Sequence, residues 1–422
     1  MLKRKNIMDM TAMRQRFRSA VGCLLCILSM FPCFNLSMFL TACSSEDEEP
    51  VPEEAVEIPV QVQGFVSRYT ETAPLTRGWD LPSGFELYPS EEVIAINFTK
   101  NGQEPKKGHF FKGSDGWRTN IEISSSEITE PNTPTFYLYG YVPHTAGITS
   151  SITDLDGANA NYRTGAILTL TNVPTIMAKD LCVVIGAKNG KTSYEAPPAD
   201  YSVTGLRRGD FAYDAAVIKK ASGGDPASGS GNFVYLLFDH LYAGLNVSIK
   251  VDGDYNDLRT IKLKSLQLQA SDDADNAIKE HTNIRITLEA KDTDANPITD
   301  VTYEPHASSK AANATIFESG AGFTLTTAYQ QFTSHFIPTG VVKLILTSTY
   351  DVYDKNPSDG HPEGNLLRKD CKATNVIDFS KLVSYFDEVR RGTKYNVKLT
   401  VNPTYLYMLS EPDLNNPTVE ID

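Results

Sequence analysis

Six cysteines and seven histidines carry the most specific chemistry in this 422-residue chain, and one cysteine stands apart by its neighbours. Cys43 follows Phe39-Leu40-Thr41-Ala42 and precedes the acidic run Ser44-Ser45-Glu46-Asp47-Glu48-Glu49-Pro50. Upstream lie Lys3, Arg4, Lys5, Arg14, Arg16 and Arg18, then an apolar run from about Ala20 to Leu40. A basic segment, an apolar core and small residues before a cysteine read as a secretory signal. Pro32 and Asn35 interrupt the core, which is marginal for the roughly 20 residues that a bilayer span needs.

The other chemical signals are weaker. Cys23, Cys26 and Cys33 would leave with the signal, so the Cys23–Cys26 spacing of a redox pair carries no meaning. Cys182 and Cys371 remain and are expected as buried free thiols, with a disulfide between them as the other arrangement. The chain has no Gly-rich phosphate loop, no G-x-S-x-G and no H-E-x-x-H. His240, within Phe238–Tyr242, is expected to be a satisfied sheet or interface histidine rather than a ligand. Asp292-Thr293-Asp294-Ala295-Asn296 starts like a calcium loop, but Pro297 stands where the loop needs glycine and Tyr303 where it needs glutamate. Arg208-Gly209-Asp210 matches an adhesive tripeptide, although Asp210 is equally suited to capping the Phe211–Ile218 segment. Trp79, Trp117, Tyr137, Tyr139 and Tyr141 would suit sugar stacking, yet aromatics alternating on a strand more often pack a core. No catalytic residue, metal or cofactor is expected.

Removing residues 1–42 takes six of the 39 basic residues and one of the 52 acidic ones. That leaves 33 and 51, a net charge of −18 on 380 residues. Such a balance disfavours nucleic acid and anionic membrane surfaces as partners. Residues 43–54 read as an acidic tether.

The positioning elements read as strands. Val56, Ile58, Val60 and Val62 alternate with Glu57, Pro59, Gln61 and Gln63, the period of a half-buried strand. Pro59 cannot donate to a ladder, which puts that strand at a sheet edge. A polar loop with Arg68 and Arg77 follows from Ser67 to Gly84. Apolar runs at Val93–Thr99, Phe110–Lys112, Phe136–Val142 and Leu181–Ala187 are punctuated by Asn101-Gly102, Asp115-Gly116 and Asn189-Gly190, which are hairpin signals. Further runs follow at Phe233–Phe238, Leu245–Val251, Ile284–Ala290, Val342–Leu346 and Tyr395–Val401. Ile261 and Leu263 are out of phase with Leu266 and Leu268, which implies a bulge. Only Phe379–Val389 has helical spacing, with Asp378 to cap it and Gly392 to end it. The fold expected is all-β, with domains at 55–225 and 231–422 if the Gly/Ser-rich Ala221–Gly231 is a boundary rather than a loop tip.

Leu40-Thr41-Ala42-Cys43 resembles a bacterial lipobox, and the acidic run after it resembles the surface-export signal of Bacteroidetes lipoproteins. Further motifs follow in order: Thr76-Arg77-Gly78, Asp115-Gly116-Trp117, Phe136-Tyr137-Leu138-Tyr139-Gly140-Tyr141-Val142-Pro143, Lys179-Asp180-Leu181, Phe238-Asp239-His240-Leu241, Tyr350-Asp351-Val352-Tyr353-Asp354 and Gly392–Val401. Together they resemble the Bacteroidetes fimbrillin family, the Mfa-like and FimA-like subunits of type V pili. Tyr88-Pro89-Ser90-Glu91-Glu92 departs from the Gly-Asp that many relatives carry before the second strand.

The resemblance implies two transthyretin-like β-sandwich domains in tandem. It implies lipid (palmitate) on Cys43, an outer-membrane anchor and a cell-surface location. An arginine-specific protease would cut the loop after the first strand, at Arg77 or alternatively Arg68. The strand bearing Val56, Ile58, Val60 and Val62 would leave, and an extended segment of the next subunit would fill its groove. The C-terminal Val401–Asp422 segment is either that donor or a strand of its own sandwich. Partners would be other fimbrial subunits and ligands on host or bacterial surfaces, serving adhesion or biofilm formation. The rival reading is a monomeric surface lipoprotein that binds carbohydrate.

Overall fold

The computed structural model describes residues 58–59, 61–71, 85–88, 92–100, 104–114, 116–121, 135–157, 162–190, 206–214, 233–272, 277–306, 310–355, 364–382, 388–403 and 412–421. Cys43, Val56, Val60, Arg77 and Trp79 lie outside them. The described residues are almost entirely β, arranged in four sheets with two short helices.

The largest sheet has ten strands. From one end its order is Ile58–Pro59, Gly116–Thr119, Lys106–Gly113, Ile94–Thr99, Thr135–Val142, Cys182–Gly190, Phe233–His240, Gln61–Ser67 and Phe85–Leu87, with Ala212–Asp214 paired to Thr135–Val142. Ile58–Pro59 is terminal in this path, while Gln61–Ser67, next in the chain, lies one strand in from the other end, between Phe233–His240 and Phe85–Leu87. The first strand therefore ties the two ends of the sheet together. Pro59 pairs only with Arg118, at the terminal position, as its missing donor requires.

Alternation sorts the side chains of this sheet into two cores. Phe136, Leu138 and Val142 join Ile94, Ile96, Phe98, Phe110, Val184, Leu236 and Phe238 in a cluster drawn from this sheet and the residues that flank its strands. Tyr139 and Tyr141, with Val183, Ile185, Tyr235 and Leu237, face the other way. They meet a second, antiparallel sheet of Thr149–Asp154, Gly165–Pro174, His281–Glu289 and Ile298–Pro305. That sheet joins strands from both sides of Ala221–Gly231. Ala166 faces Leu288 and Leu168 faces Ile286 in register, and all four are buried. The expected division into 55–225 and 231–422 is therefore not a division between sheets: the 281–305 hairpin crosses it.

The other two sheets enclose a third core. One holds Gln330–Gln331, Ala243–Val251, Thr393–Pro403 and Pro412–Ile421, with His335–Ile337 and Thr70–Glu71 paired at its sides. The other holds Asn313–Thr324, Arg259–Ser271, Lys343–Asp354 and Leu366–Asp378. The run Phe233–Val251 passes from the ten-stranded sheet into this half through Leu241-Tyr242, both fully buried. The out-of-phase residues of the Arg259–Ser271 strand are reconciled by a register shift between Leu263 and Ser265, so that Ile261, Leu263, Leu266 and Leu268 are all buried.

Two local readings change. Asp252-Gly253, a turn-type dipeptide, opens a one-turn helix at Gly253–Leu258, because the Asp252 carboxylate accepts from the Asp254 N–H at 3.0 Å and Tyr255 is buried beneath it. The Phe379–Leu382 helix starts where expected, with Asp378 accepting from the Ser380 N–H at 3.2 Å. The first strand also runs further than its periodicity suggested. It continues through Ser67, and Val62 and Val66 keep the even-numbered phase toward the inner core while Phe65 takes the opposite face.

Phe65 is fully buried in a strand that precedes every other long strand of its sheet. Phe65→Ala is expected to lower unfolding free energy by about 3–5 kcal/mol, read from the urea midpoint, if this strand is an integral stave.

Candidate functional site

The residues that end the first strand converge on a connected polar cluster. Gln61–Val66 pairs in parallel with Phe233–Phe238, position by position. Antiparallel pairing of Phe233–His240 with Cys182–Gly190 puts Cys182 opposite His240. The ladder is extended by Leu241 N–H donating to the Leu181 carbonyl at 2.8 Å. These two ladders bring Ser67, Tyr69, Asp180, Cys182, Asp239 and His240 to one end of the sheet. Arg391 arrives from the turn before Thr393–Pro403, where Thr339 Oγ1 accepts its N–H at 3.1 Å and the Tyr242 carbonyl accepts from Gly392 N–H at 3.0 Å.

The cluster works as a clasp on the departing strand. The Ser67 hydroxyl donates to Asp239 Oδ1, and His240 Nε2 lies 2.5 Å from the Ser67 carbonyl. Arg391 Nη1 donates to Asp239 Oδ2 at 3.0 Å and to the His240 carbonyl at 3.1 Å. The Tyr69 ring stacks on the His240 imidazole with centroids 3.7 Å apart. Two residues further, Thr70–Glu71 pairs in parallel with Thr393-Lys394. The first segment is thus sewn into the ten-stranded sheet and then into the sheet that contains Thr393–Pro403.

On the far side of His240, Nδ1 lies 2.8 Å from Asp180 Oδ2 and 3.6 Å from Cys182 Sγ. Burial pushes the His240 pKa down, but the Asp180 hydrogen bond and charge, the Asp239 charge and the Ser67 carbonyl more than reverse it, leaving it above its ordinary value. Burial, with Asp180 and Asp239 nearby, pushes the Cys182 thiol well up. Burial and Asp180 do the same to the Tyr69 phenol. Asp239 opposes its own burial through Arg391 and Ser67, which hold its carboxyl below the usual range.

The expected site residues fall unevenly on this arrangement. Val62 is half-buried against the inner core, and Ile58 contributes backbone pairing to Thr119. Arg68 is exposed directly after the strand, between clasp residues Ser67 and Tyr69. Cys43, Val56, Val60 and Arg77 lie outside the described residues. Cys182 and Cys371 are both free; Cys182 is buried and Cys371 half-buried.

Two surface readings lose their geometry. Tyr139 and Tyr141 are at most 1% exposed, and Trp117 packs against the inner core, so they form no stacking platform. In Arg208-Gly209-Asp210, Arg208 N–H donates to Asp294 Oδ1 at 2.7 Å, Gly209 N–H to the Ile185 carbonyl at 2.7 Å, and the Asp210 carbonyl accepts from Ala187 N–H at 2.8 Å. The Arg208 guanidinium lies 4.7 Å from the Phe85 ring centroid. This tripeptide is a pinned turn, held by Ile185 and Ala187 as well as by Asp294 of the failed calcium loop. Asp210 does accept from the Ala212 N–H at 3.2 Å, at the start of a short strand.

Sequence reasoning passed over Ser67, Tyr69 and Arg391. Asp180, Asp239 and His240 stood out only as parts of motifs. Ser67 and Asp239 are 172 positions apart and Asp239 and Arg391 are 152 apart, so no local spacing links them.

No family model matches the chain, and no curated protein does. Among solved structures, a fimbrial protein from Bacteroides vulgatus matches with 16% identity and a TM-score of 0.35, covering 79% of this chain and 92% of that one. A candidate cell adhesion protein from Bacteroides uniformis matches with 9% identity and a TM-score of 0.34, covering 87% and 96%. The fimbrial anchor protein Mfa2 from Porphyromonas gingivalis matches with 11% identity and a TM-score of 0.25, covering 86% and 97%. These neighbours are fimbrial and adhesion proteins of the bacterial group that the motifs resemble. Overlaps this loose carry no argument about role, so function has to be read from this chain's own residues.

Asp239→Ala removes the shared acceptor of Ser67 and Arg391. It is expected to cost about 2–3 kcal/mol, between the figures for exposed and for buried pairs. Amide hydrogen exchange across 61–67 should quicken more than across 343–354, and equal change in both would contradict a clasp.

Proposed function

We propose that this protein is a structural and adhesive subunit of a bacterial surface fimbria, polymerised by proteolytic release and replacement of its first strand. The observation that carries the reading is the position of Ile58–Ser67: the first long segment of the described chain closes a sheet whose other strands come later. A stave added to ready-made edges can be exchanged for another of the same pattern.

The physics of exchange follows from what the strand covers. Its departure would bare six positions of Phe233–Phe238 backbone and the edge at Gly116–Thr119, and would leave Phe85–Leu87 without its partner strand. It would also vacate the places of Phe65 and Val66, which are 0% and 4% exposed. Refilling them returns about 1.5–3 kcal/mol for each side chain, an upper estimate because unfolded chains already bury some surface. Main-chain pairing sets the register of the incoming strand. At Gly64 an added Cβ would lie 2.8 Å from Phe238 Cε2 and 3.1 Å from Tyr88 Cβ, so a donor strand needs a small residue there.

Arg77 and Arg68 are the candidate cleavage positions, and they differ in consequence. Cleavage after Arg77 removes Ser67, Tyr69 and the Thr70–Glu71 pairing together. Cleavage after Arg68 removes Ser67 and leaves Tyr69 stacked on His240. Cys43 would carry the lipid that holds the precursor at the outer membrane until release.

Limited digestion of the purified precursor with an arginine-specific protease is expected to yield a new N-terminus at Gly78, or at Tyr69, together with SDS-resistant ladders. Ladders should disappear in Arg68→Ala/Arg77→Ala. Full polymerisation of that double variant would end the proposal, as would complete cleavage that produces only monomer. Gly64→Val is expected to lower stability by about 1–3 kcal/mol through overpacking against Phe238, measured by urea unfolding of the uncleaved chain.

A further inference from the structure

We infer that Asp180, Cys182 and His240 form a binding site for a divalent cation of zinc type, set directly behind the clasp on the first strand. The ligand atoms, a carboxylate oxygen, Sγ and Nδ1, all lie within 4.8 Å of one another. Imidazole, thiolate and carboxylate are the donor set that zinc takes, at about 2.0–2.3 Å from the metal. A tetrahedral centre with those bond lengths separates a sulfur from a nitrogen ligand by about 3.5 Å. Cys182 Sγ and His240 Nδ1 are 3.6 Å apart. The Nδ1 to Asp180 distance of 2.8 Å would have to open by about half an ångström to the spacing of nitrogen and oxygen ligands.

Further features of the cluster point into the same gap. His240 Nε2 is engaged by the Ser67 carbonyl, the outer hydrogen bond that fixes the tautomer and aim of a metal-ligating histidine. It leaves Nδ1 as the atom facing Asp180 and Cys182. With a lone pair on Nδ1, that nitrogen would face a carboxylate oxygen at 2.8 Å, so a cation has to stand between them, either a proton or a metal. Asp180 Oδ1 is buried. The Tyr69 hydroxyl, on the ring that stacks over His240, is buried beside that carboxylate and interacts with it. It offers an oxygen where a fourth position would be needed.

The charges also close. With a neutral thiol and one proton held between His240 and Asp180, that proton and the Arg391 guanidinium balance the carboxylates of Asp180 and Asp239. A divalent cation that also displaces the Cys182 thiol proton keeps the cluster neutral. Binding would release that proton and the one held between His240 and Asp180, with no change of oxidation state. By fixing His240, the cation would stiffen the hydrogen bond to Ser67 and the stack with Tyr69, so metal loading would brace the strand exit. The inference does not depend on the fimbrial reading.

The test is a cobalt titration of the full chain, reduced and stripped with chelator. One equivalent of Co(II) is expected to give a thiolate-to-cobalt charge-transfer band, displaced by Zn(II). The band should vanish in Cys182→Ser and persist in Cys371→Ser. Asp180→Asn should keep the band and weaken cobalt binding by more than the roughly 10–100-fold that loss of an outer partner costs. This variant carries the test if Cys182→Ser fails to fold by circular dichroism. No band on the folded wild-type chain would overturn the inference and leave the gap to a proton. An undiminished band in Cys182→Ser, or unchanged affinity in Asp180→Asn, would overturn it as well.

Discussion

Parallel pairing of Gln61–Val66 with Phe233–Phe238 is the contact on which the ten-stranded sheet depends. Parallel strands are stable where both faces are covered, and this one is: Phe65 lies in the core shared with the neighbouring sheet, Val66 in the core inside its own. The same segment meets Gly116–Thr119 two residues earlier through Ile58–Pro59. One stretch of chain therefore satisfies two edges that would otherwise stand open, and open edges invite another chain.

A strand with that duty needs an anchor at its exit, and the polar cluster supplies one. Ser67 is held through both its hydroxyl and its carbonyl, by Asp239 and His240. Arg391 balances Asp239 and comes from a part of the chain built into another core. Loss of the strand would leave Asp239 short of a donor and His240 short of an acceptor, so departure is felt at the start of Thr393–Pro403. The clasp and the seam between sheets are one structure. Arg68 sits exposed in its middle, where a cut separates the residue held by hydrogen bonds from the residue held by stacking.

The long-range pairing of the fold also runs across the Gly/Ser-rich 221–231 segment. That segment interrupts the sequence, but it follows Ala212–Asp214 and precedes Phe233–His240, both of which belong to the ten-stranded sheet. The real handover is at Leu241-Tyr242, a buried dipeptide with no loop composition at all. The 281–305 hairpin then returns to cover Gly165–Pro174. Composition alone does not say whether a Gly/Ser-rich run separates two sheets or joins strands of one.

The residues by themselves determined the β class, the alternation of most strands, the bulge near Leu263, the cap at Asp378 and the edge position of Pro59 itself, though not of the strand that continues from it. Each is a consequence of period two, of backbone chemistry or of a missing N–H, and each acts within a few residues. They also placed the aromatic alternation of 136–142 in a core. Tertiary structure alone decided that the first strand closes a ten-stranded sheet, that its partner is Phe233–His240, and that Ser67, Asp180, Cys182, Asp239, His240 and Arg391 share one site. Those groups are brought together by ladder register across more than a hundred residues, and register depends on which faces find a core, a property that no local spacing encodes.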